Sequence, residues 1–133
     1  MPDNLSLDKR SKVMASIRGK DTQPEMLIRR NLWRLGVRYR VNDPSVLGVP
    51  DVSSKHAKVA VFIDGCFWHG CSKCYREPTS NVAFWRSKLA YNKRRRGIVN
   101  RALRAGGWTV LQYWEHEVLS NPLPIAKEIA RHL

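Results

Sequence analysis

The stretch Lys58-Val59-Ala60-Val61-Phe62-Ile63-Asp64 constrains the rest of the chain more than any other. Its middle residues are continuously apolar, as expected of a central strand covered on both faces rather than one alternating between core and solvent. Such a strand needs helices above and below its sheet. Val37 to Val41, where apolar and basic residues alternate, and Leu47 to Ser53 read as two further strands. The second joins Lys58–Asp64 through a polar turn at Ser54–Ala57, and Trp108 to Trp114 reads as the last strand. Helices are expected over Asp8–Arg18, ended by Gly19, from Thr22 to about Leu35, over Val82–Ala105, ended by Gly106-Gly107, and over Pro124–His132. In the second of these, Pro24 suits the first turn and Glu25 can close a capping box onto Thr22. Gly36 then supplies a left-handed stop, and Met26, Leu27, Trp33 and Leu35 are the expected buried side chains. The fold class that follows is α/β, or α+β, in three layers, a small mixed sheet flanked by helices. A length of 133 residues predicts a single domain over 1–133.

Charge narrows the function classes. The chain carries 24 Lys and Arg against 11 Asp and Glu, a net charge of +13. Ten of the cations lie between Lys9 and Arg40 and eight between Arg86 and Arg104, bracketing a segment poor in net charge. Clustered positive charge points to a polyanion, and nucleic acid is the default partner. Solvated helix faces, or a basic amphipathic helix for membranes, are the plainer alternatives. The longest apolar stretch is far short of the ~20 residues of a membrane span. The N-terminus Met1-Pro2-Asp3-Asn4 lacks a signal pattern, so the expected location is the cytoplasm, with no membrane partner.

Three constellations can carry chemistry. Asp51, after Pro50, and Asp64 sit at the edges of predicted strands whose hairpin turn lies midway between them. The two carboxylates would therefore meet at one end of neighbouring strands, a hard-oxygen site suited to Mg²⁺ and to phosphodiester hydrolysis. This resembles the PD-(D/E)xK nuclease pattern but lacks its lysine, since Cys66 stands two residues after Asp64. The bland reading leaves both acids as a turn residue and a strand end. Next, Cys66-x4-Cys71-x2-Cys74 gathers all three cysteines of the chain into nine residues. Packing thiols would not cluster so, and an iron–sulfur cluster would need a fourth cysteine. Structural zinc accepts a histidine instead, with His69 and His116 as candidates. Finally, Phe67-Trp68 beside the cysteines and Phe84-Trp85 at the head of the basic helix are aromatic pairs that fit either a core or a wedge between base steps. His69 is also placed to act as a general base.

These strings together resemble the very-short-patch mismatch-repair (Vsr) endonuclease family. The resemblance is carried by Phe62-Ile63-Asp64-Gly65-Cys66-Phe67-Trp68-His69-Gly70-Cys71, by Arg10-Ser11-Lys12-Val13-Met14 and by Lys20-Asp21-Thr22-Gln23-Pro24-Glu25. Gly48-Val49-Pro50-Asp51, Phe84-Trp85, Gly107-Trp108 and Trp114-Glu115-His116 extend it over about Asp8 to Leu119. It implies a restriction-endonuclease-like fold and a Mg²⁺-dependent nick beside the T of a T:G mismatch, the product of 5-methylcytosine deamination. It further implies Asp51 as the central Mg²⁺ ligand, His69 as catalytic base, and Cys66, Cys71, Cys74 and His116 on zinc. Phe67, Trp68 and Trp85 would open the mismatch and Lys88 and Asn92 would read it. Lys12 and Met14 would meet the DNA from the first helix, and Glu25 matches an acid near the metal. Ile63 and Asp64 stand where a hydroxyl and an imidazole occur in the best-known member. They are placed at the Mg²⁺ site, Asp64 as a second carboxylate on its chemistry alone. Arg94-Arg95-Arg96 is all cationic where an acid commonly follows the basic pair. The expectation is a monomeric nickase of double-stranded DNA, with other repair proteins as further partners. Its rivals are a restriction-like enzyme cutting paired DNA and a non-catalytic zinc-containing nucleic-acid-binding module.

Overall fold

The computed structural model describes residues 22–66, 71, 73 and 76–133. The helix expected over Asp8–Arg18, with Lys12 and Met14, lies outside these residues, as do Phe67, Trp68, His69 and Cys74. The described elements are α1 (Gln23–Arg34), β1 (Arg40–Val41), β2 (Val52–Ser54), β3 (Val59–Asp64), α2 (Val82–Ala105), β4 (Thr109–Trp114), α3 (Glu115–Ser120) and α4 (Pro122–His132).

The four strands form one mixed sheet in the order β1-β2-β3-β4. β1 and β3 each run antiparallel to β2, with Arg40 opposite Ser53 and Val52 opposite Val61. β4 runs parallel to β3, with Val59 opposite Thr109 and Asp64 opposite Trp114. A parallel neighbour requires a crossover, and α2 supplies it. Every residue of β3 is buried, and the alternation of its side chains divides the interior in two. Val59, Val61 and Ile63 pack with Ile28 and Leu32 of α1, Val118 of α3, and Ala126 and Ile129 of α4. Ala60 and Phe62 face the other way, onto Val99 and Leu103 of α2.

The buried face of α1 differs from the one expected. Pro24, Glu25, Ile28 and Leu32 are buried, whereas Met26, Leu35 and above all Trp33 (78% exposed) are not. Successive helical residues turn by about 100°, so Trp33 points away from the stripe that Leu32 continues. Apolarity alone chose the wrong stripe because the true one begins with an acid. Thr22 makes no side-chain capping bond. Two strands are shorter than expected. Of Val37–Val41 only Arg40–Val41 pairs, and Leu47–Ser53 contracts to Val52–Ser54. Gly48 (φ +80°) and Val49 (φ +47°) lie in the left-handed region, which no strand can include. Helix α3 was not expected. The Trp114 N–H donates to the Glu117 carboxylate at 3.2 Å, which closes its N-terminus.

Gly48 is required for two reasons. Its backbone is left-handed, and a Cβ there would lie 2.5 Å from Val99 Cγ1 and 3.3 Å from Phe62. Overpacking and strain add, so Gly48→Ala is expected to cost about 2–4 kcal/mol in urea unfolding.

Candidate active site and metal centre

Antiparallel pairing of β2 with β3 delivers Asp51 to the sheet end where β3 finishes. The Asp51 N–H donates to the Val61 carbonyl at 2.9 Å, and its Oδ2 accepts the Ile63 N–H at 2.6 Å. Those two bonds fix backbone and side chain together, so the carboxyl has little freedom. Glu25, on the first turn of α1, hydrogen-bonds Asp51 from the neighbouring element. Both are buried, Asp51 at 8% and Glu25 at 1% exposure. Burial and the charge of Glu25 push the Asp51 carboxyl up to about 8, against the opposing pull of the Ile63 N–H. Arg29 Nη2 lies 3.4 Å from Glu25 Oε2, one turn along α1. Two buried acids bonded to each other form a site that favours a shared proton or a cation.

Asp64, expected as a second metal carboxylate, lies near Asp51 and is also paired with a cation. It adds to the field that raises Asp51, but its side chain is held by Arg96 of α2. Arg96 Nη2 meets Oδ1 at 2.7 Å and Nε meets Oδ2 at 3.3 Å, a two-pronged pairing. The Gln112 side-chain amide donates to Oδ2, and Asn100 donates to Gln112 at 3.0 Å. Arg96 also lies 3.9 Å above the Phe62 ring. Neighbouring residues on a strand face opposite ways, so Asp64 turns with Phe62 toward α2. The acid set against Asp51 is therefore Glu25, and Ile63 meets Asp51 through its N–H.

Helix α2, 24 residues and so about 36 Å long, outreaches strands of about 20 Å. Leu103 and Val99 pack on the sheet, Arg96 meets the end of β3, and the preceding residues project past it. Residues three or four apart share a helical face, which extends the Arg96 line to Asn92, Lys88 and Trp85. Trp85 is half-buried and stacks edge-on with the exposed Phe84 at 5.0 Å, while Lys88 is exposed and lies 5.6 Å from the Tyr91 ring.

The metal centre follows from the parallel register. Asp64 lies opposite Trp114, so Cys66 and His116, each two residues further on, leave the sheet side by side. Cys66 Sγ lies 3.3 Å and Cys71 Sγ 3.5 Å from His116 Nδ1. A tetrahedral ion bound at zinc-like distances would separate such atoms by about 3.5 Å. Among the described residues this is the one trio of His, Cys or acid side chains whose ligand atoms all lie within 4.8 Å of one another. Both thiols are buried and free of disulfides. The Glu115 carboxylate accepts the Cys66 N–H at 3.0 Å, and the Cys71 N–H donates to the Cys66 carbonyl at 3.0 Å. These cross-links hold the ligand atoms together, so a Cys/His cluster able to bind a metal ion is a feature of this chain.

Sequence reasoning missed Arg96, Gln112, Asn100 and Glu115 as parts of the site. Asn100 left a signal, being polar on the α2 face that buries Val99 and Leu103. No helix among the described residues is long and apolar enough to cross a membrane.

Comparison with known proteins places the chain in a family. The model of the family described as DNA mismatch endonuclease Vsr matches residues 2–76. The chain is 44% identical over 132 residues to the Type II nicking enzyme V.HpaIIP of Haemophilus parainfluenzae, covering 97% of this chain and 94% of that one. It is 41% identical over 129 residues to the Type II nicking enzyme V.NmeDIP of Neisseria meningitidis serogroup C, covering 96% and 87%. With the DNA mismatch endonuclease Vsr of Escherichia coli (strain K12) it shares 37% identity over 109 residues, covering 80% and 69%. On these matches, and with its paired acids at one sheet end, the chain belongs to the Vsr family of DNA endonucleases.

Proposed function

We propose that the protein is a monomeric, Mg²⁺-dependent and zinc-stabilised nickase that cuts one strand beside the T of a T:G mismatch. The buried Asp51–Glu25 pair at the first turn of α1 carries this reading. Two adjacent buried carboxyls fit a divalent cation, which would supply neutralisation of the scissile phosphate. Asp51, steadied by the Ile63 N–H, and Glu25 would hold it. Asp64, already answered by Arg96 and Gln112, would act beside it by keeping the end of β3 and the middle of α2 in register. His69 would take the proton of the attacking water as its oxygen bonds to phosphorus. The 3′-oxygen leaves and gains a proton, so the ends are 5′-phosphate and 3′-hydroxyl.

Recognition would fall to Trp85, Lys88 and Asn92 on the projecting half of α2, with Phe67 and Trp68 as the rest of the wedge and Lys12 and Met14 opposite. Cys66, Cys71 and His116, with Cys74, would bind zinc and fix the loop that carries wedge and base. The layered sheet with acids at neighbouring strand ends suits a restriction-endonuclease-like fold in one domain, acting in the cytoplasm. The names of the relatives support both strand nicking and mismatch recognition.

A nicking assay tests this with matched duplexes containing T:G or C:G at one position, in Mg²⁺ and in EDTA. One-strand cleavage of T:G at least a hundredfold faster than of C:G is expected, with none in EDTA. Equal cleavage of both duplexes, on both strands, would establish the restriction-like reading instead.

A further inference from the structure

A second cationic feature lies away from the paired acids. β1 is an edge strand, and a cavity of about 1400 Å³ along it is lined by residues that include Trp33, Arg38, Arg40, Ser53, Lys55 and His56. Asp51 precedes β2 and Lys55 follows it, so Lys55 and His56 lie at the opposite end of that strand from the acids. Arg29, Arg38, Arg40 and Lys55 line the cavity against one acid, Asp43. The Asp43 carboxylate accepts the Ser45 N–H at 2.9 Å and the Ser45 hydroxyl at 2.6 Å. Arg29 is engaged by Glu25, which leaves Arg38, Arg40 and Lys55, all exposed, as the cations facing solvent.

Two further observations give the ligand its character. The Ser53 hydroxyl lies opposite Arg40 in the sheet register, is buried, and has no hydrogen-bond partner. Trp33 lies off the buried stripe of α1, is 78% exposed and lines the same cavity, so its indole face is presented beside the cations. Cations track a phosphate backbone of any form, but an indole platform serves only a base whose face is free. Bases inside a duplex have both faces occupied by their neighbours. We propose that the β1 edge is a binding track for an unpaired DNA strand, with a base stacked on Trp33 and phosphates held by Arg38, Arg40 and Lys55. The inference takes from the family assignment only that the polymer is DNA, and it is independent of mismatch specificity.

The test is fluorescence anisotropy of a labelled oligothymidylate with the full chain in EDTA, beside nicking of a short T:G duplex in Mg²⁺. The R38A/R40A/K55A variant is expected to bind the oligonucleotide at least tenfold more weakly. Its log-affinity against log-salt slope should be shallower by about 2, given ~0.7 per phosphate contact on single strands. W33A should lose about tenfold with the slope unchanged, W33F should recover most of it, and nicking of the short duplex should stay within twofold of wild type. Wild-type oligonucleotide affinity in both the triple variant and W33A would overturn the proposal. So would an equal loss of affinity for a fully paired duplex, which would make the edge a general duplex contact. A wild-type protein that binds the oligonucleotide through these residues yet nicks no mismatch would sink the nickase reading and leave this one standing.

Discussion

Asp51→Asn is expected to abolish nicking, by at least a thousandfold, while making the folded protein more stable at pH 8. The two effects share one cause. The Asp51 carboxyl stays protonated up to about 8 in the folded chain because it is buried beside Glu25. In the unfolded chain an aspartate ionises near pH ~4. Folding therefore takes up a proton between those values, and stability is lost as pH rises through that window. Below about pH 4 this contribution is fully present, and by pH 8 most of it is gone. Each unit of the gap is ~1.4 kcal/mol, so the group costs the metal-free protein on the order of a few kcal/mol at pH 8. Asparagine cannot ionise and escapes that loss. Urea unfolding in EDTA at pH 5 and pH 8 reads it directly, with wild type losing stability across the interval and Asp51→Asn losing far less. An identical pH dependence in both proteins would show that Asp51 is not the strained acid. In the companion nicking assay Glu25→Gln should lose activity by about a hundredfold, and by more than Asp64→Asn.

His116→Ala is expected to empty the Cys/His centre and lower the melting temperature by well over 10 °C. Metal analysis of purified wild type should give about one zinc per chain, bound through four protein ligands. Zinc-binding free energies in small structural sites are of order 10–16 kcal/mol, comparable with the whole net stability of a domain. Cys66→Ser should behave similarly, because Cys66 and His116 leave the paired ends of β3 and β4 side by side and meet at 3.3 Å. Retention of a full equivalent by His116→Ala, with loss from His69→Ala, would move the fourth ligand into the loop.

Much of this arrangement is legible in the sequence, and the illegible part has one physical origin. The continuous apolar run places β3 almost to the residue, and α2 spans Val82–Ala105 as its caps suggest. Gly36 ends α1 with φ +76°. These features depend on near neighbours, where periodicity and glycine chemistry speak directly. Glu25 is different. Read locally it caps a helix, and only the docking of α1 beside β2 turns it into the partner of Asp51. Asp64 and Arg96, 32 residues apart, look like a metal ligand and a phosphate contact until the packing of α2 joins them. Pairings of distant residues across a tertiary contact leave no local pattern to read. Cys66 and His116 were within reach because both residue types are rare and both chemically specific.

The parallel pairing of β3 with β4 also has a consequence in time. β1, β2 and β3 pair between near neighbours and bring Asp51 to the end of β3 early, whereas α1, which carries Glu25, packs mainly on α3 and α4. Arg96 from the crossover helix and Gln112 from β4, which hold Asp64, also arrive later, as does His116, which meets Cys66. Each partner in the β3–β4 ladder is 50 residues from its mate, a distant closure that folds slowly. During synthesis, Asp51 is thus in place before Glu25 is docked beside it and before the residues that restrain the end of β3. Capture of a metal by Cys66 and His116 would mark the moment at which the last strand has entered the sheet.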